Sequence, residues 1–253
     1  MTTDELSDAF DTLVSSYRRF KDYDNKEILD SVEFNEYEKS YFLTKAQEEL
    51  VISLYNGRNT SGDSFEKTEE LRRLLNNLVV THKQPLSEEN YNDLALTDKS
   101  YLVPILDDVM YIIYEAVRLK DDSLGCYSGT VINVQPITHD EYNKIKDNPF
   151  RGPTRYKALR LDTNDVKTIN TNDVKLTNCV EIISKYSCDE YIVRYLKKLN
   201  PIILVDLNGT NVSIDGQTKK HECELNSILH EYILERAVDM ALRTKSIGKP
   251  QNV

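Results

Sequence analysis

The sequence predicts an α+β protein: an N-terminal antiparallel helical bundle, a central antiparallel β-rich region, and a C-terminal helix that returns to the bundle. Three observations predict it. Apolar residues recur at helical spacing through the first 80 residues, short β-rich runs divided by turn residues take over from about Leu94, and helical spacing returns over 225–245. The boundaries that follow are 1–93 for the bundle, 94–224 for the β-rich region with its loops, 225–245 for the C-terminal helix and 246–253 for a loose tail.

A first helix is expected from Asp4 to Tyr17, with Leu6, Phe10, Leu13, Val14 and Tyr17 on one face behind a Thr-Thr-Asp opening that can cap it. RRFKDYDNKEILDS is a polar connector. A long second helix then starts near Asp30 or Ser31 and ends at Asn56-Gly57, where glycine takes the left-handed conformation that closes a helix. Between Phe34 and Gly57 it carries two apolar faces: Phe34, Tyr37, Tyr41, Ile52 and Tyr55 on one side, and Leu43, Ala46, Leu50 and Leu54 nearly opposite. Such a helix either sits centrally in its own domain or buries one face against another chain. Phe65 to Val80 offers Phe65, Leu71, Leu74, Leu75 and Leu78 for a third helix, stopped before Gln84-Pro85.

Candidate strands follow: SYLVPI, MYIIYEAVRL, TVINVQPI, TRYKALRL, VKLTNCVEIIS, EYIVRYLKKL and PIILVDL. Their spacing leaves no room for intervening helices, which predicts an antiparallel sheet or small barrel rather than βαβ units. MYIIYEAVRL fits a short helix equally well. A short helix over Asp140–Ile145 leads into the Pro- and Gly-punctuated loop of KIKDNPFRGP. The pentapeptide TNDVK occurs at Thr163–Lys167 and Thr171–Lys175, as adjacent hairpin edges or by coincidence. Leu225, Ile228, Leu229, Tyr232, Ile233, Ala237, Met240 and Ala241 then mark an amphipathic last helix, with Arg243 and Lys245 in its final turn.

Composition is globular, at 40% hydrophobic and 29% charged residues with 8 Gly and 7 Pro. Sixteen Tyr and no Trp supply large side chains with one polar end, suited to half-buried surfaces and subunit contacts. Charge is uneven: residues 1–141 hold 28 acidic against 14 basic side chains, net −14, while 142–200 hold 7 against 12, net +5. That balance argues against wrapping nucleic acid, which needs clustered Lys and Arg. The basic stretch, with Lys144, Lys146, Arg151, Arg155 and Lys157, is either a contact for an acidic neighbour or a solvated loop.

Motifs for chemistry are missing. There is no GxGxxG or GxxxxGK[ST] for nucleotides. His230-Glu231 begins like HExxH, but Leu234 stands where the second histidine belongs. In DLNGTNVSIDGQ, Asp206 and Asn208 match the start of a calcium loop, yet Gly209 is fourth and Gln217 twelfth, so a hairpin turning at Asn208-Gly209 between PIILVDL and NVSI is expected. The pairs Asp107-Asp108 and Asp121-Asp122 point to opposite faces of any strand and are read as solvated turns. His82, His139, His221 and His230 assemble no cluster by spacing, and His221 with Cys223 is only a two-ligand fragment. Cys126, Cys179, Cys188 and Cys223 show no CxxC, as expected for reduced thiols. No catalytic residue, metal or cofactor is expected. MTTDELSDAF lacks a signal-peptide pattern and no run approaches 18 apolar residues, so synthesis in the cytoplasm and no membrane insertion are expected.

Two stretches, FNEYEKSYFLTKAQEELVISLYNGRN and LKKLNPIILVDLNG with ECELNSILHEYILERAVDMALRTK, together with the loop THDEYNKIKDNPFRGP, resemble the head–tail connector ring (adaptor) proteins of crAss-like tailed bacteriophages. The resemblance implies a non-catalytic virion protein, made in the bacterial host cytoplasm and placed in the head–tail neck. It implies a closed ring, twelve-fold by the same resemblance, that docks to the portal, meets neighbouring ring and tail proteins, and extends the channel for double-stranded DNA without reading its sequence. Ring subunits need two different complementary surfaces, and the opposed faces of the 34–57 helix and the split charge suit that need. Phe34, Tyr37, Tyr41, Ile52 and Tyr55 are the intersubunit candidates, and an acidic lumen would let DNA slide. Two other readings stand beside it: an acidic adaptor that mimics DNA, and a hydrolase built on carboxylates such as Asp107, Asp108 and Glu115.

Overall fold

In a computed structural model, which describes residues 1–21, 33–57, 65, 67–86, 99–146, 148, 150–166, 178–209 and 211–247, the chain forms two units. One is helical and combines Met1–Leu78 with Leu199–Val253; the other is a sheet over Val79–Lys198.

The helical unit holds α1 (Thr3–Lys21), α2 (Glu36–Asn56), α3 (Glu69–Leu74) and the last helix of the chain, α5 (His230–Ile247). α1 buries Leu6, Phe10 and Val14 at the spacing read from the sequence. α2 starts later than expected. Asn35 accepts from the Glu38 N–H at 2.8 Å while the Glu38 carboxylate accepts from the Asn35 N–H at 3.0 Å, a reciprocal box that fixes the first turn at Glu36. Asp30 and Ser31 lie outside the described residues. Gly57 closes α2 at φ 72°, as expected. The third helix is cut to six residues plus a 3₁₀ turn at Asn76–Leu78, because the β-branched run Val79-Val80-Thr81 enters a strand instead.

α5 does return to the bundle. It runs antiparallel to α2, tied by Arg236 to Glu49 at 2.7 Å and by Lys245 to the Glu33 carbonyl at 2.8 Å. Ile233, Leu234, Ala237, Val238 and Ala241 form its buried stripe. The helix begins only at His230, after a 3₁₀ turn at Ser227–Leu229, and that change of phase leaves Ile228 and Tyr232 exposed.

PIILVDL, expected as a strand, runs extended against α2 rather than within a sheet. Ser40, Thr44 and Gln47, all buried, bond its backbone at every second residue. Ser40 Oγ accepts from the Leu204 N–H at 3.0 Å, Thr44 Oγ1 accepts from the Ile202 N–H at 3.1 Å, and Gln47 donates to the Asn200 carbonyl at 2.9 Å. The match is geometric: four helical residues rise about 6 Å and two extended residues about 6.6 Å. From its other side Ile203 pairs with His221. The return strand is therefore Thr218–His221, not NVSI, with Leu207 N–H donating to the Thr218 carbonyl at 2.7 Å. Gly209 turns at φ 87° as expected, but the tight two-residue hairpin is Asp215-Gly216, at φ 48° and 78°, between Ile214 and Gln217.

The sheet unit has seven strands: β1 (Val79–Pro85), β2 (Ser100–Pro104), β3 (Val109–Leu119), β4 (Val131–Pro136), β5 (Lys157–Val166), β6 (Asn178–Ile183) and β7 (Cys188–Lys197), in the order β1-β7-β3-β4-β5-β6-β2. MYIIYEAVRL is thus a strand. Five pairings are antiparallel; β4 and β5 are parallel. The 20 residues between them hold α4 (His139–Ile145), a short crossover helix, so one βαβ unit exists where none was expected. Pro85 and Pro104 end the two edge strands, where a missing N–H costs no ladder bond. The sheet curls. Tyr101 on edge strand β2 accepts from the Cys188 N–H of β7 at 2.8 Å, and residues of six strands share one inner cluster that includes Val117, Ile132, Ala158 and Val193. On the other face α4 packs Tyr142 and Ile145 on Leu159, Leu161 and Ile183. Thr163 to Val166 of the first TNDVK copy fall on β5, and Lys167 and the second copy lie outside the described residues.

Candidate assembly surfaces

The polar groups deepest in the sheet unit are paired among themselves. Glu115 accepts from Arg160 at 2.6 Å and from the Tyr191 hydroxyl, all inside the curl. Burial raises the Glu115 pKa, against the lowering pull of Arg160 and Tyr191, and burial beside Glu115 raises Tyr191 well above the usual phenol range. Asp107 and Asp108 stand at the β2–β3 turn, where Asp108 accepts from Tyr195 at 3.0 Å. Glu115 pairs across from Val193 and Val109 from Lys197, which separates the two carboxylate positions by about 13 Å along the strands. They do not converge in a cleft, so the carboxylate constellation of the hydrolase reading is not assembled. Asp121 accepts from the Ser123 hydroxyl and from the Ser187 and Ser123 N–H groups, which together hold its pKa low; it is a cap more than a solvated turn.

Histidines follow the same pattern. His139 bonds the Asp162 carbonyl at 3.0 Å, and His230 sits between the Met1 amino group at 3.0 Å and the Leu225 carbonyl at 3.1 Å, its pKa lowered chiefly by burial. Cys223 donates to Gln47, away from His221, which faces Glu224 at 3.6 Å. Among the described residues no three or more His, Cys, Asp or Glu could hold a metal ion, and no helix is long and apolar enough to cross a membrane.

What the molecule presents outward is apolar and charged surface. Along α2, the buried stripe is Leu43, Ala46, Val51 and Leu54 with Ser40, Thr44 and Gln47. The opposite candidates divide. Phe34 is buried in its own unit, edge-on to Phe10 and Phe42 and 4.1 Å beneath the Lys245 ammonium. Tyr37 packs half-buried on Ile203, Leu207 and Ile214, and Tyr55 stacks on Phe65 at 6.1 Å. Tyr41 is 44% exposed and Ile52 half-exposed, so these two stay uncovered within the unit. Ile52 lies in a groove of about 1090 Å³ between α2, α3 and α5, whose apolar lining includes Leu71, Leu74, Ile228 and Tyr232.

The sheet unit presents a basic, aromatic tip. Lys144, Lys146, Arg151 and Arg155 are exposed and Lys157 half-exposed. Arg155 lies over two exposed rings, 4.7 Å from Tyr156 and 5.2 Å from Tyr127. Phe150, at 90% exposure, stands free beside them. Sequence reading selected the charges and passed over Phe150; the signal for it was an aromatic residue set in the turn-forming run NPFRGP, where no core pattern claims it.

The interior polar groups are paired and the exposed surfaces are apolar on α2 and basic and aromatic at the tip. A profile of the phage tail ring protein 3/4 family matches residues 1–252. The chain belongs to this ring protein family. It is 42% identical over 247 residues to Ring protein 3 of Bacteroides phage crAss001, covering 97% of each chain. It is also 29% identical over 246 residues to Ring protein 4/5 of the same phage, covering 95% of this chain and 92% of that one. The resemblance to crAss-like phage ring proteins therefore holds over nearly the whole chain, and a structural place in the phage particle follows. As a ring protein, the chain needs one surface for each neighbour, and these differ unless the contact is two-fold.

Proposed function

We propose that the chain closes into a homo-oligomeric ring in the phage neck, docks toward the portal, and extends the DNA channel toward the tail, with a scaffolding and not a catalytic role. The observation that carries this reading is the match to ring proteins over residues 1–252. A twelve-fold ring is the proposed stoichiometry. The net −14 of residues 1–141 supports a lumen lined partly by carboxylates, which repel the DNA backbone and let it slide. The basic side chains Lys144, Lys146, Arg151, Arg155 and Lys157 are the proposed contact for an acidic neighbour.

The side of α2 that carries Tyr41 and Ile52 is the proposed intersubunit side, bordered by the half-buried Tyr37 and Tyr55, with Phe34 supporting it from within. Tyr41→Asp tests this. The variant should keep the helical circular dichroism and melting temperature of the parent yet fail to enter rings or particles. A variant that no longer folds would place Tyr41 in the core, and one that still enters particles would move the contact elsewhere. A reconstruction of the phage neck tests the channel: carboxylates of 1–141 that all face outward would refute the acidic lumen.

A further inference from the structure

The geometry points to a plug-and-socket contact between successive copies, in which Phe150 of one copy enters the groove between α2, α3 and α5 of the next. The inference rests on the reading of the chain as a self-assembling ring subunit and names the surfaces that join its copies.

The plug is the most exposed large apolar side chain described, at 90%. An aromatic side chain left in water at a loop tip is the residue type that anchors interface centres. The tip is held in shape. The Phe150 N–H donates to Asn148 Oδ1 at 3.0 Å, and the Gly152 N–H to the Asn148 carbonyl at 3.0 Å. A side chain at Gly152 would begin 3.3 Å from that carbonyl, so the turn closes tightly there. Bonds already made at Asn148, Phe150 and Gly152 lessen the entropy these residues lose on docking.

The socket is large and apolar at its base. Its volume of about 1090 Å³ admits a phenyl ring with its flanking backbone, and Ile228, at 63% exposure, and Tyr232 leave its wall open. Charge selects the occupant. Phe150 is flanked in sequence by Lys144, Lys146, Arg151 and Arg155 against Asp147 alone, while the groove lining holds Glu49, Glu69 and Glu70 against Arg73 and Arg236. Arg236 pairs with Glu49 and Arg73 with Glu69, so Glu70 is the excess carboxylate that a basic tip would meet. A second copy carries the matching tip. Plug and socket are different surfaces on different units, so the contact can repeat head-to-tail from copy to copy until it closes, as a ring requires; a reciprocal exchange of plugs would instead stop at a dimer and overturn it.

The test uses two full-length variants. Phe150→Asp removes the plug and keeps the socket; Ile228→Asp blocks the socket and keeps the plug. Both positions are exposed, so circular dichroism and melting should match the wild type. In sedimentation velocity the wild type should form rings and each variant alone should stay at the 29.3 kDa monomer. An equimolar mixture retains one intact plug and one intact socket and should stop at a heterodimer of about twice that mass. Rings formed by Phe150→Asp, or a mixture that stays monomeric, overturn the plug and socket while leaving the ring reading intact. Rings of Phe150→Asp that fail only to enter particles assign the tip to another neck protein and also overturn it. A wild type that is monomeric at every concentration overturns the self-assembly on which the inference rests.

Discussion

Thr44→Val should be more damaging than Thr44→Ser, the reverse of what apolar burial alone predicts. Thr44 is 2% exposed, and its hydroxyl both accepts from the Ile202 N–H at 3.1 Å and donates to the Ile202 carbonyl at 3.3 Å. Valine keeps the shape and removes both bonds. A buried amide left without its partner costs about 1–3 kcal/mol, and the carbonyl, with a longer bond and a second lone pair, adds a smaller part. The methyl gained returns under about 1 kcal/mol, so the net cost is about 2 kcal/mol. Serine keeps the hydroxyl and loses one methyl, about 1 kcal/mol. Urea unfolding followed at 222 nm reads the helical unit, and with a slope of about 2 kcal/mol per molar the valine variant's midpoint should fall by about 1 M. A Thr44→Val protein as stable as the wild type, or more stable than Thr44→Ser, refutes the claim that α2 side chains hold the 200–204 segment.

Arg160→Met should cost about 3–5 kcal/mol at pH 7, because it leaves the buried Glu115 carboxylate without its counter-charge and with only the Tyr191 hydroxyl donating to it. Burial raises the Glu115 pKa against the lowering pull of Arg160 and Tyr191; loss of Arg160 raises it further, so protonation relieves the buried charge and the deficit should shrink as pH falls from 7 toward 5 in urea titrations. A deficit that is constant with pH would show that Arg160 acts by packing alone. Lys39 is buried with its ammonium on Ser7, Asp11 and Glu36 at 2.7–3.0 Å. Burial pulls its pKa down, but the bonds to Asp11 and Glu36 outweigh it and the net shift is upward from 10.5. Its contribution is thus complete below about pH 10.5 and lost as pH rises through the folded value. Melting temperatures from pH 8 to 11.5 should fall more steeply for the wild type than for Lys39→Met; parallel profiles would refute the linkage.

Local patterns in the sequence carried much of this fold. α1, α2, α5 and strands β2 and β4–β7 follow from apolar period and turn residues, because each buries a face whose spacing is written locally. β3, by contrast, fitted strand and short helix equally, and the Asn35 cap of α2 was not singled out. β1 was hidden: its Val79-Val80 reads as the tail of a helical stripe, and its pairing partner β7 is more than 100 residues away. The parallel β4–β5 pair was hidden for a similar reason, since parallel and antiparallel strands differ in what crosses between them and not in their own residues. PIILVDL is extended as read, yet its partner is a helix. Ser40, Thr44 and Gln47 look like ordinary helix polar residues until the segment that they bond is placed beside them. At the candidate surfaces, charge was legible in the chain and Phe150 stood in a turn-forming run, whereas the exposure of Ile228 and Tyr232 depends on packing that no local pattern encodes.

The two-sided character of α2 has a physical consequence for assembly. A helix whose inner stripe included only apolar residues could slide or rotate against its partners at small cost, because apolar contact is non-directional. Here the inner stripe is fixed at three points to backbone atoms of 200–204 and at its ends by Arg236–Glu49 and Lys245–Glu33. Buried directional bonds set rotation as well as position. Tyr41 and Ile52 are thereby held at one angle to the unit that carries them. A closed ring tolerates little angular error per contact, since the rotation between neighbours repeats until the last subunit meets the first. On this account, the buried hydroxyls and amide of α2 serve the outer face: they convert a helix that merely packs into one that presents its exposed side chains at a fixed angle.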